Sequence, residues 1–204
     1  MKVVIDTNSL LSLVRYYLPF DKKGVLFQFI QSNIEKREII IIDKVLEECS
    51  YFSKGLVLDK LPYLKDEAFL KHAKVPYKTD SILVPNTKQF FHLLNSEFVN
   101  SPIRRKLNDE EFENQKNSFI NSADMKQVIL SLTLKEKGEE VFLVTEETES
   151  SNDNKLFKKI PAICKVLGIE TMTLPELIAK YDGIDLDFNL NRKLTHNRPL
   201  PNWD

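Results

Sequence analysis

The sequence predicts an α/β fold with a mostly parallel sheet covered on both faces by helices. Two observations carry that expectation. Short apolar runs, Lys2-Val3-Val4-Ile5, Ile39-Ile40-Ile41-Ile42, Val141-Phe142-Leu143-Val144 and Ile169 to Thr173, recur along the chain. Between them lie stretches with helical spacing, and strands that alternate with helices are joined by crossovers that make neighbours parallel.

The elements follow in order. The run ending in Asp6 reads as a buried strand. Thr7-Asn8-Ser9 can cap a helix from Leu10 to about Leu18, ended by Pro19. A second helix is expected over Val25 to Lys36, with Leu26, Phe29, Ile30 and Ile34 on one face. Four isoleucines in a row, all β-branched, read as a strand buried on both faces. Asp43 is expected to cap a helix from Lys44 to about Lys54, with Gly55 ending it. Residues 56–121, with prolines at 62, 76, 85 and 102, read as a helical elaboration that includes Lys88 to Val99. Alternation then returns: helix Ser122 to Lys137, strand Val141–Val144, helix Phe157 to Leu167, strand Ile169 to Thr173, and helix Leu174 to Tyr181. One domain is expected over 1–181, followed by a polar arm at 182–204.

Composition removes several functions. Among 204 residues, 29 Lys and Arg face 30 Asp and Glu, so a strongly basic global field is absent and nucleic-acid binding requires a local patch. The two cysteines, Cys49 and Cys164, are distant from each other and from any His cluster, which excludes a zinc site or a disulfide framework and suits a reducing cytoplasm. No apolar run approaches a membrane span, and the first residues lack the length of a signal peptide, so a cytoplasmic protein with no membrane partner is expected. The five glycines form no phosphate-binding loop, and three histidines leave little room for imidazole chemistry. Carboxylates are abundant.

Their placement is informative. In open α/β sheets, ligands bind beyond the carboxyl ends of the strands. Asp6 ends the first strand, Glu146 and Glu147 follow Thr145 past another, and Glu47, Glu48 and Asp124 lie early in helices that start at the same rim. An acid early in a helix ordinarily serves the helix dipole, which by itself accounts for Glu48 and Asp124. Asp6 is different, because an acid ending a buried strand must be paired, hydrogen-bonded or metal-bound. Gathered acids repel one another unless a cation neutralises them, and an oxygen-only set selects Mg²⁺ or Mn²⁺.

Val4-Ile5-Asp6-Thr7-Asn8, Val45-Leu46-Glu47-Glu48, Ala123-Asp124 and Val144-Thr145-Glu146-Glu147 resemble, in order, the four acidic motifs of PIN-domain ribonucleases. The resemblance covers residues 1–55 and about 120–180, and it implies a three-layer α/β/α sandwich whose acids bind Mg²⁺ or Mn²⁺ for hydrolytic RNA cleavage. Carried over by position, Asp6, Glu48, Asp124 and Glu147 are the implied metal-binding and catalytic acids, with Asn8 and Thr145 as polar partners. The family often has Asp where Glu147 stands, so Glu146, Glu149 and Asp153 remain alternatives for the fourth position. Small PIN proteins resemble VapC-like toxins, which implies an RNA substrate, an inhibitory antitoxin protein and a homodimer as partners. Two further readings stay open: an RNA-processing nuclease that is not a toxin, and a catalytically inactive RNA-binding or interaction module.

Two other folds begin similarly. A haloacid-dehalogenase-type phosphatase needs a second Asp where Asn8 stands, and a receiver domain needs a Lys that no strand end here supplies. For RNA grip, the segment Lys60 to Lys106 carries nine Lys and Arg against four acids, ending in Arg104, Arg105 and Lys106. Tyr63, Tyr77, Phe90 and Phe91 are its candidate base-stacking rings.

Overall fold

The computed structural model describes residues 1–148, 155–181, 183, 184 and 186. Glu149, Asp153 and nearly all of the expected 182–204 arm lie outside the described residues. Strand β1 (Lys2–Ile5) lies between β2 (Ile39–Ile40) and β3 (Val141–Val144), and β4 (Glu170–Met172) flanks β3. All pairs are parallel, with Ile5 opposite Val144 and Val144 opposite Met172. Val3, Val4 and Ile5 are fully buried, as befits a central strand with only apolar side chains after Lys2.

The helices pack around this sheet. They are α1 (Thr7–Ser12), α2 (Val25–Glu35), α3 (Asp43–Tyr51), α4 (Leu56–Lys60), α5 (Glu67–Ala73), α6 (Thr87–Ser96), α7 (Ser101–Arg104), α8 (Asp109–Ile120), α9 (Ala123–Glu136), α10 (Ile160–Leu167) and α11 (Leu174–Ala179). Side chains alternate along β3. Leu143 joins a core with Val128 and Ile129 of α9 and Ile163 and Cys164 of α10. Phe142 and Val144 join the larger core with Leu10 of α1, Leu26, Ile30 and Ile34 of α2, and Leu177 of α11. Val99, Phe112 and Leu156 form a small satellite core under α7 and α8. Among the described residues, no helix is long and apolar enough to cross a membrane.

Several boundaries differ from expectation, each for a local reason. The first helix starts at Thr7 because Asp6 itself is the cap, its Oδ1 accepting from Ser9 N at 2.5 Å. The chain then continues through a π turn at Leu13–Tyr17 and a 3₁₀ turn at Leu18–Phe20, where Pro19 occupies an early position that requires no N–H donor. Only two of the four isoleucines pair with β1. Beyond them the outer edge is covered by Tyr77, whose N–H donates to Ile41 O at 2.8 Å and whose O accepts from Asp43 N at 3.0 Å. Ile40 is half-buried rather than buried on this edge. The third helix stops at Tyr51, since Ser53, Lys54 and Gly55 all adopt positive φ. The tenth starts at Ile160 because Phe157 bridges to Val99 instead.

Asp43 is the first residue of α3, not its cap, and its carboxylate reaches across the chain. It accepts from Thr79 N at 2.9 Å, Thr79 Oγ1 at 2.6 Å and Lys44 N at 3.0 Å. Burial raises its pKa, but the Thr79 and Lys44 bonds and the Lys78 charge outweigh it and leave the carboxyl below its usual 3.8. Thr79 is fully buried, so Asp43→Ala strands its N–H and hydroxyl. The expected loss is about 1–3 kcal/mol in urea unfolding at neutral pH. Because the folded pKa is depressed, this stabilisation is complete above the unfolded value and disappears as pH falls through the folded one. The gap between wild type and the variant should therefore narrow in strong acid, where the protonated carboxyl keeps only its neutral hydrogen bonds to Thr79.

Candidate active site

The parallel ladder continues one residue past β1 and β3, with Asp6 N donating to Val144 O at 3.1 Å and Thr145 N to Met172 O at 3.0 Å. Asp6 and Thr145 thus stand side by side at the carboxyl rim, both almost fully buried. Burial raises the Asp6 carboxyl above 3.8, opposed by hydrogen bonds from Ser9 and Thr145, and the nearby Glu146 charge raises it further. Helix α3 follows β2 and so begins at this rim, while α9 precedes β3 and begins there too. Glu48, in the second turn of α3, accepts from the Thr7 hydroxyl. Asp124 occupies the first turn of α9, whose start is capped by Ser122.

Asp124 brings the constellation together. Desolvation in the crowded rim raises its carboxyl to about 6, and the charges of Glu147, Glu48 and Asp6 add to that rise, with Lys155 opposing. The other three acids of the sequence-derived set thus all act on Asp124. The side chain itself is exposed, so solvent screens these charges, and titration rather than stability is the sensitive readout.

The acids after β3 separate by alternation. Glu146 Oε1 accepts from Leu174 N at 2.9 Å at the start of α11, and its charge is felt by Tyr17. Glu147 turns the other way, toward Asp124: its Oε2 accepts from Ile160 N at 3.3 Å, and its own N–H donates to Thr145 Oγ1 at 3.2 Å. Next to these, a cleft of about 500 Å³ runs between α8 and Lys155–Lys159, with Asp124 and Glu147 among its lining residues.

Not every sequence-derived residue joins the rim. Asn8 and Glu47 are exposed. Arg104 instead braces the fold locally. It donates to Leu107 O at 3.0 Å and Asp109 Oδ1 at 2.7 Å and lies 4.1 Å from the centre of the Phe112 ring. Arg105 and Lys106 are exposed. Tyr63 and Phe90 are core residues and cannot stack a base, whereas Tyr77 is 38% exposed. Thr7 and Lys155 join the site from outside the sequence-derived set. The hydroxyl directly after Asp6 is a legible signal for the first, and the basic run Lys155-Leu156-Phe157-Lys158-Lys159 is one for the second.

Apart from Lys155, the contributors are oxygen donors of the kind that hard divalent cations take. As their side chains stand, no three His, Cys, Asp or Glu among the described residues form a ready-made metal group. The profile of a domain of unknown function, DUF4411, matches residues 84–183, a span that includes Asp124, Thr145, Glu147 and the cleft. Comparison with curated proteins and comparison with solved structures each find no match.

The shared charge makes a direct prediction. Carboxyl-detected NMR on metal-free protein should place the Asp124 midpoint near 6. Glu147→Gln removes a repelling neighbour, so it should move that midpoint down. A midpoint that stays fixed would separate the two residues.

Proposed function

We propose that the chain is a PIN-like, Mg²⁺- or Mn²⁺-dependent endoribonuclease. The observation that carries the reading is the gathering of Asp6, Glu48, Asp124 and Glu147 about the carboxyl rim of a parallel sheet, where the charges of the other three act on Asp124. The donor set fits a hard cation chemically: it is all oxygen, it is crowded with like charge, and one lysine opposes it. Asp6 and Asp124 would hold the ion, with Glu48 and Glu147 holding a second site or the attacking water. When bound, such an ion activates water and offsets charge on the phosphodiester.

The protein's own groups supply orientation. The Thr145 hydroxyl and the Ser9 N–H fix the Asp6 carboxylate, the Thr7 hydroxyl fixes Glu48, and the Ile160 N–H holds one oxygen of Glu147. Each tether leaves carboxylate lone pairs available for a cation or a water.

The finer reading, a toxin restrained by an antitoxin protein, rests on the resemblance to small PIN toxins. It expects induced wild-type chain to arrest growth and Asp6→Asn to be tolerated. A second reading, a PIN-like module that binds RNA or a partner without cutting, draws on the absence of a ready-made metal group among the described residues. Calorimetry with Mn²⁺ separates the two: wild type should bind and Asp6→Asn should not.

Cleavage kinetics test the mechanism itself. Asp6→Asn should lower single-turnover RNA cleavage by more than about 100-fold, beyond the loss typical of outer-shell groups, with little change in thermal unfolding. Glu147→Gln should lose more activity than Glu146→Gln. Full activity in EDTA, or in Asp6→Asn, would overturn the nuclease reading.

A further inference from the structure

A second recess lies where the chain turns between the end of the first helical segment and α2. Its volume is about 380 Å³, within the roughly 300–1,000 Å³ range of small-ligand pockets. Val14, Leu18, Pro19 and Phe27 give it apolar walls, and Asp21, Gly24 and Lys60 complete the lining, with none of the rim acids among them. The turn that shapes it is built locally: Asp21 N donates to Leu18 O and Gly24 N to Asp21 O, each at 3.1 Å. Gly24 stands at φ +70°, a conformation that favours glycine, and a Cβ there would meet nothing within 4 Å. The chain leaves open space over this turn instead of filling it. Phe27 is held edge-on by Tyr63, with ring centroids 5.3 Å apart.

Its polar groups are what distinguish it. Asp21 Oδ2 accepts from Phe27 N at 2.8 Å, in the first turn of α2. Asp21 Oδ1 is buried and meets no donor among the described residues. A desolvated carboxylate oxygen without a donor is costly, and a ligand that brings an N–H to it removes that cost. The cation of the lining, Lys60, ends α4. Its neighbour Asp59 is taken by Lys65 at 2.6 Å, and among the described residues no ion pair joins Lys60 to Asp21. One acceptor and one ammonium thus face the same apolar space. Each simpler ligand fails on one of them. A plain anion is repelled by Asp21, a plain amine is repelled by Lys60, and a neutral hydrocarbon leaves Oδ1 without a donor.

We infer that this recess binds a free apolar α-amino acid, its ammonium on Asp21 Oδ1, its carboxylate on Lys60 and its side chain against Val14, Leu18 and Phe27. Such a ligand carries both charges one carbon apart and an apolar body beside them, which is the combination the lining presents. The inference goes beyond the ribonuclease reading and stands without it. Bound there, the ligand ties the turn at Leu18–Phe20 to the starts and ends of α2 and α4, so it stabilises the folded chain.

The test is calorimetry on the full chain with L-leucine, leucinamide, N-acetyl-leucine and glycine. Leucine should bind with a Kd of about 1 mM or tighter and raise Tm. Leucinamide lacks the carboxylate, N-acetyl-leucine the ammonium and glycine the apolar body, so each should bind at least about tenfold more weakly. Asp21→Asn keeps an oxygen for the Phe27 N–H but loses the charge, and should weaken leucine binding by about tenfold or more. Lys60→Met, at an exposed position, should make leucine and leucinamide bind equally. Circular dichroism checks the fold of both variants, and Lys60→Met alone suffices should Asp21→Asn misfold. Absence of leucine binding overturns the inference, and so does equal binding of leucine and N-acetyl-leucine. Binding of leucine that both variants leave unchanged places it elsewhere on the chain and overturns the inference as well.

Discussion

A carboxylate at the end of the central strand organises this molecule. Asp6 retains only 4% of its surface, directly after three fully buried residues. Burying such a group without compensation is costly, so its surroundings must supply donors. They come from two directions. The chain turns at once into α1, which presents the Ser9 N–H to Oδ1, and β3 aligns so that Thr145 lies alongside. The first demand fixes where α1 starts; the second fixes the register of β3 on β1. A slip of one residue in that register would move Thr145 away from Asp6 and exchange the side chains that β3 sends to its two cores. Fold and candidate site therefore share one constraint, and the Asp6 carboxylate still carries a pKa above its usual value.

The legible parts of the fold are those whose signal is local. Helices α2 and α9 have several turns of regular apolar spacing, and they fall within a residue or two of their expected bounds. The parallel strands β1 and β3 are marked by short apolar runs with acids nearby. The unread parts depend on partners far along the chain. Four isoleucines cannot declare that only two will find a neighbour on β1, because pairing depends on the length of β1 and on the arrival of Tyr77. Asp43 has the composition of a cap, yet Thr79, 36 positions away, takes its carboxylate.

The same contrast runs through the site. Each of the four acids could be placed at one rim from topology alone, since the carboxyl ends of parallel strands coincide and helices enter or leave there. The cationic patch could not. Counting charge over Lys60 to Lys106 adds together side chains that face different ways, and it gives weight to Arg104, whose guanidinium is committed to Asp109 and Phe112. Tyr63 and Phe90 have rings suited to stacking, but both belong to the core. Lys155 and Lys158, in contrast, belong to the short basic run Lys155-Leu156-Phe157-Lys158-Lys159, outside the segment whose charge was counted. They gain their position only when Asn100 and Phe98 pin that segment beside α8.

Crowding so many carboxylates at one edge raises the question of how the fold tolerates them. The answer is division by strand alternation and helix start. Glu146 is drawn to the N–H of Leu174, where the first turn of α11 has unpaired donors, and Glu147 to the N–H of Ile160 at the first turn of α10. Two adjacent acids are thus sent to two different helices, on opposite sides of Asp6. The consequence is asymmetric. Asp6 is perturbed by Glu146, while Asp124 is perturbed by Glu147, Glu48 and Asp6 together. Residual repulsion is therefore greatest on the Asp124 side, which is also the side that opens into the lysine-walled cleft. Negative charge concentrated at a cleft mouth would expel a phosphodiester unless cations share the approach. On the proposed ribonuclease reading, Lys155 shares that approach, and a divalent ion at the rim would complete the reversal of sign that a polyanionic strand requires.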